Sequence, residues 1–192
     1  YYVYAGRGGR SLEEIKLSTA RKMRDGRALN AVNRPALVSL AHALSIPLAS
    51  HDDTTLADVA LSRDESVVLA EFPTTVEAAE ASHAAGITVM MGAPNLIRGG
   101  SHSGNIAAAD LAREGYLDIL SSDYIPSSLL MGALQLPDRI PSITLPEAVR
   151  TVTKAPAKAV GLDDRGEIAK GKRADLIRVH VAAGVPVVRS VW

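Results

Sequence analysis

Short apolar runs alternate with longer amphipathic stretches through the middle of the chain. Four such runs cover residues 46–50, 67–72, 87–91 and 117–121. Helical patterns follow the first three runs, and the second and third of these patterns span residues 76–85 and 105–114. Thr74 and Glu77 have the spacing of a helix capping box at the start of one of them. Strands that alternate with helices are typical of βα units around a parallel sheet.

The segments on either side of these units have different patterns. Residues 11–29 predict a basic amphipathic helix, and residues 33–44 predict a second helix with Pro35 in its first turn. Residues 166–177 are turn-rich and lead into a strand, and residues 185–191 alternate as a second strand. A turn at Ala183 and Gly184 would join the two strands into a small β appendage.

Four consecutive βα units fit half of a doubly wound sheet or half of an eight-stranded barrel. The strands lack the Gly-rich first turn of a dinucleotide-binding fold, which favours the barrel. The predicted fold is therefore α/β: the C-terminal half of a (β/α)8 barrel over residues 1–160, then part of a small β-sandwich domain over residues 161–192. Half a barrel leaves strand edges and its interior uncovered, so we expect about four earlier βα units outside this chain. Thr144 and Glu147 predict one further capped helix before the β domain.

The composition narrows the classes of function. Acidic and basic residues balance at 21 each, which argues against a general basic surface for nucleic acid. Cysteine is absent, so His and carboxylate groups would have to hold any metal. No apolar run reaches the length of about 18 residues that a membrane-spanning helix needs. We therefore expect a cytoplasmic protein without membrane partners.

Polar residues come at or soon after the ends of the predicted strands, at His51, Glu71, Asn95 and Asp123. The carboxyl ends of parallel strands meet at one edge, where both candidate architectures place active sites. His51 fits a metal ligand, or a loop histidine bonded to a neighbouring carboxylate. Asp123 fits a metal ligand that accepts a proton from water, or a turn cap. Glu71 fits a partner of the metal ligands, or a strand-end charge.

The segment from residue 92 to residue 105 is the most informative local feature. Its paired glycines let the backbone approach a ligand closely, and it adds hydroxyls and one guanidinium group. It also leads into the helix predicted from residue 105, whose N-terminus would favour an anion. An ordinary flexible loop is the alternative to phosphate binding. The residues predicted to bind phosphate are Asn95, Arg98, Gly99, Gly100, Ser101, His102 and Ser103.

Several motifs together resemble a known enzyme family. They are LASHDDTT at 48–55, EFPTT at 71–75, GAPN at 92–95, RGGSHSGN at 98–105 and LSSDY at 120–124. A tail follows, with PAKAVGL at 156–162, GEI at 166–168 and ADL at 174–176. A strand-ending histidine, a strand-ending aspartate and this tail are similar to the amidohydrolase superfamily. The other motifs resemble, within that superfamily, the diphosphatases of phosphonate breakdown by the carbon–phosphorus lyase pathway.

The resemblance implies hydrolysis of alpha-D-ribose 1-methylphosphonate 5-triphosphate to the 5-phosphate and pyrophosphate by metal-activated water. It implies that His51 and Asp123 ligate a divalent metal, zinc, present as one or two ions, and that Asp123 is also catalytic. Asp52 and Glu71 would support these ligands, and most other ligands would lie upstream. Glu71 stands where the superfamily usually has a histidine, which fits attack at phosphorus. The implied partners are the triphosphate sugar, the rest of the same protein and further copies in a homo-oligomer.

Two other functions stay open. A different amidohydrolase, such as a deaminase or deacetylase acting on C–N bonds, would keep His51 and Asp123 but would not need Arg98 and its loop. A non-catalytic barrel, kept as an assembly subunit, would have lost its metal residues. Both strand-end positions in this chain still carry residues that can bind a metal.

Overall fold

The computed structural model describes residues 9, 11–101 and 103–192. The chain forms two compact units, Tyr1–Ile46 and Pro47–Trp192. The predicted division of the chain at residue 160, between a barrel part and a β domain, stays a prediction.

A single long helix, α1 (Leu12–Ala43), dominates the first unit. It begins with a capping box in which the Glu14 amide donates to Ser11 Oγ at 3.2 Å and the Ser11 amide donates to Glu14 Oε2 at 2.8 Å. The prediction of two helices is wrong, because α1 continues through Pro35. Proline removes one backbone hydrogen bond, but helix-favouring Ala and Leu residues flank it on both sides. In the described part of the chain, neither α1 nor any other helix is long and apolar enough to cross a membrane.

The second unit is built from βα units, as the alternating pattern predicted. Its elements are β1 (Leu48–His51), α2 (Leu56–Asp64), β2 (Val67–Glu71), α3 (Val76–Ala84), β3 (Thr88–Gly92), α4 (Ala93–Arg98), α5 (Ala108–Arg113), β4 (Ile119–Ser121), α6 (Ser128–Arg139), α7 (Leu145–Arg150), α8 (Lys154–Ala159), β5 (Ile177–Ala182) and β6 (Val185–Val191). Strands β1 to β4 form one parallel sheet in sequence order. Parallel strands joined through helices confirm the predicted α/β class.

Helices cover one face of the parallel sheet. Val89 and Met91 of β3 and Leu120 of β4 are at most 2% exposed, and they belong to one apolar cluster with Leu96 and Leu136. Burying each leucine contributes roughly 1.5–3 kcal/mol. Neighbouring strand positions point to the other face, where side chains are half-buried: Leu69, Thr88 and Met90. Apolar side chains on both faces are typical of a parallel sheet that is covered on both sides.

Two helices occupy segments for which no helix was predicted. Helix α4 has Pro94 in its first turn and ends at Gly99, whose φ is 84°. Helix α6 contains Gly132 and Pro137, which are both poor helix formers. It packs closely against α4, since an ideal Cβ at Gly132 would lie 2.9 Å from the Ala93 Cβ. Tertiary packing therefore outweighs local propensity in α6.

The starts of three helices test the predicted caps. The capping box of Thr144 and Glu147 is confirmed at the start of α7. The cap predicted at Thr74 is wrong by one residue, because Thr75 Oγ1 accepts the amide of Ala78, the third residue of α3, at 3.1 Å. The helix predicted from residue 105 begins instead at Ala108 and is only six residues long.

The predicted hairpin is present near the C-terminus. Strands β5 and β6 pair in antiparallel register. Ala183 and Gly184 between them have φ values of 49° and 79°. Positive φ at both central residues is the signature of a type I′ turn, whose twist matches that of the strands.

Candidate active site

A cavity of about 350 Å³ opens at the C-terminal edge of the parallel sheet. All four strand ends contribute to its lining, which includes His51, Asp52, Phe72, Pro73, Gly92, Asn95, Arg98, Ser101, Ser103, Asp123 and Tyr124. Three predicted site residues are next to lining residues in the sequence but not in the lining: Glu71, Gly99 and Gly100. His102 lies outside the described residues. The edge that the strand pattern predicted therefore gathers most of the candidate residues.

The backbone is strained at three of the four strand ends. Asp52, Phe72 and Asp123 have φ values of 60°, 56° and 49°. L-residues adopt this left-handed conformation at a cost of about 1–2 kcal/mol, so it persists only where surrounding contacts fix it. Sheet hydrogen bonds supply such contacts, because the Asp52 amide donates to the Glu71 carbonyl at 3.0 Å and the Phe72 amide donates to the Met90 carbonyl at 2.9 Å. Strain of this kind clusters at functional sites.

His51 lies between two carboxylates. Its Nδ1 is 3.2 Å from Asp52 Oδ2, and its Nε2 is 4.0 Å from Glu71 Oε2. The Phe72 ring meets the imidazole edge-on, with ring centroids 5.5 Å apart. The contact with Asp52 favours a proton on Nδ1, which leaves the Nε2 lone pair available. A carboxylate behind a histidine in this way orients metal-ligating imidazoles.

Asp53 was not among the predicted site residues, yet it is only 8% exposed. Its Oδ2 accepts the Ser50 hydroxyl at 2.6 Å and the Ser62 hydroxyl at 3.0 Å. These bonds tie the end of β1 to α2 and satisfy a carboxylate that would otherwise be costly to bury. Asp53 thereby anchors the turn that carries His51 and Asp52. The residue type alone gives no signal for this role, because the adjacent Asp52 is exposed.

Asp123 is exposed and faces the end of β3. An ideal Cβ at Gly92 would lie 3.4 Å from Asp123 Oδ2 and 3.5 Å from Asp123 Cβ. Gly92 has no side chain and leaves this space beside the carboxylate open; an added Cβ would reach ordinary van der Waals contact with it. This close approach was not predicted, although Gly92 begins the segment that sequence analysis singled out.

Asn95 holds the segment after β3 together. Its Nδ2 donates to the Ile106 carbonyl at 3.2 Å, and its Oδ1 accepts the Ala108 amide at 3.0 Å. Ala108 is the first residue of α5, so this amide is already engaged, and a six-residue helix offers a weak dipole. These two features weaken the case for an anion site at this helix N-terminus, which stays a prediction. Asn95 supports the loop at both ends.

Arg98 reaches across the cavity mouth to the segment after β4. Its Nη1 donates to the Tyr124 hydroxyl at 3.2 Å, and its Nε donates to the Gly100 carbonyl at 3.2 Å. The amide of Ser103 donates to Ser101 Oγ at 3.1 Å, which closes a tight turn in the same loop. Arg98 was among the predicted site residues, whereas Tyr124 was not.

The family of this fold can be identified from the sequence. Residues 35–181 match the amidohydrolase family. The chain belongs to the amidohydrolase family. Solved structures agree at the level of the fold: an uncharacterized protein has 19% identity and a TM-score of 0.58 over 82% of this chain and 46% of its own. A structure described as an amidohydrolase has 15% identity and a TM-score of 0.56 over 82% of this chain and 47% of its own.

Two curated amidohydrolase-like relatives are similar in sequence. The alpha-D-ribose 1-methylphosphonate 5-triphosphate diphosphatase of Escherichia coli (strain K12) is 58% identical over 161 residues, which are 83% of this chain and 43% of that protein. The dihydroorotase of Methanopyrus kandleri is 33% identical over 101 residues, which are 44% of this chain and 23% of that protein. The chain thus spans less than half the length of both relatives.

The donor groups at the cavity suit the metal on which amidohydrolases depend. Zinc takes imidazole nitrogen and carboxylate oxygen, as offered by His51 and Asp123. Within residues 9, 11–101 and 103–192, no group of three or more His, Cys, Asp or Glu side chains is placed to hold a metal ion. The described residues therefore offer two donors of the kind that a divalent metal accepts, and the assignment of His51 and Asp123 as metal ligands stays a prediction.

Proposed function

We propose that the protein to which this chain contributes hydrolyses a phosphoanhydride and releases pyrophosphate. The proposed substrate is alpha-D-ribose 1-methylphosphonate 5-triphosphate, the compound named for the relative with 58% identity. One observation carries the proposal: Arg98 and the candidate metal ligands His51 and Asp123 line the same cavity. A fixed positive charge beside a hydrolytic centre suits a polyphosphate better than it suits an uncharged C–N substrate.

We also propose that this chain forms half of a (β/α)8 barrel. Two observations support this finer architecture. Strands β1 to β4 follow one another in sequence order, without the reversal of a doubly wound sheet. In the described residues, β1 and β4 each pair with a single strand, so both outer edges can continue a sheet.

Each polar residue has a proposed role at the site. His51 and Asp123 bind a divalent ion, zinc, which supplies activated water when bound. Asp52 orients the imidazole through its contact at 3.2 Å. Asp123 accepts a proton as water attacks phosphorus, and Arg98 neutralises charge on the phosphate chain of the bound substrate.

The test compares triphosphate and monophosphate esters of one sugar, in the protein at the length of its relatives. Arg98→Ala should lower kcat/KM for the triphosphate by a factor that corresponds to a free-energy loss of roughly 2–4 kcal/mol. The reason is that a charge-assisted contact is lost in a partly desolvated site. The loss should be smaller for the monophosphate, which leaves fewer charges uncompensated. Arg98→Lys should restore activity only in part, since a point charge cannot reproduce a guanidinium fork.

Arg113→Ala is the matched control, because Arg113 is exposed and pairs with Asp110 in α5, away from the cavity lining. Equal losses on both esters, or no loss with Arg98→Ala, would show that the loop does not bind the phosphate chain. Absence of pyrophosphate release by the wild type would reject the proposed reaction.

Similarity to a dihydroorotase supports a second candidate, hydrolysis of a C–N bond. The same preparation should then open a cyclic amide such as dihydroorotate and release no pyrophosphate. Dihydroorotate carries a carboxylate that Arg98 could also bind, so the product formed by the wild type, and not the Arg98→Ala variant, separates the two candidates.

A further inference from the structure

Tyr124 lines the cavity and was not among the predicted site residues. It follows Asp123, and its side chain is 56% exposed at the cavity mouth. Its hydroxyl oxygen accepts a hydrogen bond from Arg98 Nη1 at 3.2 Å. The residues belong to different segments, since Arg98 ends α4 after β3 and Tyr124 follows β4. This hydrogen bond therefore connects two separate parts of the cavity wall.

The guanidinium group of Arg98 is held from two directions. Its Nε donates to the Gly100 carbonyl within its own loop, and its Nη1 donates to Tyr124 across the cavity mouth. An arginine side chain otherwise rotates freely, and ordering it on binding weakens affinity. A guanidinium that is already oriented can meet phosphate oxygens without that loss.

The backbone is constrained at Asp123, the residue before Tyr124. Asp123 has φ of 49°, in the left-handed region, and Gly92 leaves only contact distance to its carboxylate. The direction in which the chain leaves Asp123 is thereby restricted. The aspartate at the reacting end of the cavity and the tyrosine that contacts Arg98 are adjacent in the chain, so covalent geometry sets the distance between their Cα atoms.

We infer that Tyr124 is a positioning residue that places Arg98 at a fixed distance from Asp123 and so makes the site selective for polyphosphate esters. The inference rests on the proposed function, because it assumes that Arg98 meets a phosphate chain. Tyr124 acts through Arg98 in this scheme. Its removal should then affect binding of phosphates and leave the hydrolytic step almost unchanged.

The test uses Tyr124→Phe in the protein at the length of its relatives. Phenylalanine keeps the exposed ring and removes only the oxygen that accepts from Arg98. We expect KM for the triphosphate ester to rise about tenfold, the scale of one lost hydrogen bond to a charged group, while kcat stays within about twofold. The matched control is Tyr116→Phe, because Tyr116 precedes β4 at the opposite edge of the sheet. It should leave both constants unchanged.

A double-mutant cycle separates positioning from a direct role. Tyr124→Phe in an Arg98→Ala background should cause almost no further loss, because the tyrosine has no guanidinium to position. Losses that add would overturn the inference, as would a fall in kcat without a change in KM. Wild-type KM for Tyr124→Phe would overturn it as well.

Binding of inorganic tripolyphosphate, measured by calorimetry, distinguishes this inference from the proposed reaction. Tyr124→Phe should weaken tripolyphosphate binding about tenfold in the protein that keeps Arg98. In the protein that carries Arg98→Ala, it should leave tripolyphosphate binding unchanged. If this coupling is found but no pyrophosphate is released from the sugar, the reaction is wrong and the positioning role stands. If pyrophosphate is released but the coupling is absent, the reaction stands and the positioning role is wrong.

Discussion

Both ends of the parallel sheet contain residues in the left-handed conformation, but the residue types differ between the two ends. At the N-terminal end, each of β2, β3 and β4 is preceded by a helix that terminates at a left-handed residue: Ser66, Gly86 and Gly115, with φ of 59°, 75° and 81°. At the C-terminal end, the left-handed residues are Asp52, Phe72 and Asp123. The residues at the N-terminal end are small and form turns, whereas those at the C-terminal end have larger side chains that line the cavity.

The difference is informative because the conformation is the same at both ends. Glycine adopts a positive φ without a steric penalty, whereas an L side chain is strained by about 1–2 kcal/mol. Two of the three N-terminal turns have glycine, with open space around both positions. All three C-terminal positions keep a side chain, and all three line the cavity. The backbone strain thus occurs at positions where the side chain forms part of the cavity wall.

The largest effect is expected at Asp123. Asp123→Asn should lower kcat/KM for pyrophosphate release by about 10²- to 10⁴-fold, because an amide cannot accept the proton. The free energy of unfolding should hardly change, since asparagine tolerates the left-handed conformation. Metal content, measured by elemental analysis, should fall with activity. Near-normal turnover with normal metal content would mean that this strained position has no catalytic role.

A smaller effect is expected when residues are exchanged at the N-terminal end. Ser66→Gly should raise the free energy of unfolding by about 0.5–1 kcal/mol, because the strained φ is relieved. Gly86→Ala should lower it by about 1 kcal/mol, because no atom lies near enough to clash and only backbone strain is added. Urea denaturation measures both changes, and turnover should be unaffected. Loss of activity in either variant would contradict a purely structural role for this end.

The smallest effect is expected on stability at low pH, through two carboxylates that cap helices. Asp58 caps α2 at the C-terminal end of the sheet, where hydrogen bonds from the Thr55 hydroxyl and then from the amides of Thr55 and Thr54 hold its pKa below the ordinary value of 3.8. Glu147 caps α7 and lines a cavity with Gly115 near the N-terminal end. Bonds from the Thr144 hydroxyl and amide hold its pKa below 4.5.

A depressed folded pKa means that each carboxylate stabilises the fold above its unfolded pKa. That contribution is lost as pH falls through the lower folded pKa. Thr55→Ala should therefore flatten the decline of stability below about pH 3.8, and Thr144→Ala should flatten it below about pH 4.5, by similar small amounts. The measurement is thermal unfolding across this pH range. If only one of the two variants changed the pH dependence of stability, the two caps would not stabilise their helices in the same way.

Sequence patterns located the strands and the edge at which the polar residues meet. The apolar runs at residues 67–72 and 87–91 fall within two residues of β2 and β3, because alternation and flanking turns are encoded locally. The same reasoning placed His51 and Asp123 at strand ends. It failed for α1, where a proline is tolerated inside a continuous helix, and for α6, where contact with α4 compensates for Gly132 and Pro137.

The sequence by itself determined the parallel βα organisation, the identity of the polar residues at the strand ends and the loop that carries Arg98. Those features depend on periodicity, on turn chemistry and on residue types, which act over a few neighbours. Only the tertiary structure decided that Tyr124 accepts a hydrogen bond from Arg98, that Gly92 leaves room for Asp123 and that Asp53 is buried against Ser62. Each of these contacts joins residues 9 to 31 positions apart in the chain, and their meeting depends on how the strands and helices pack.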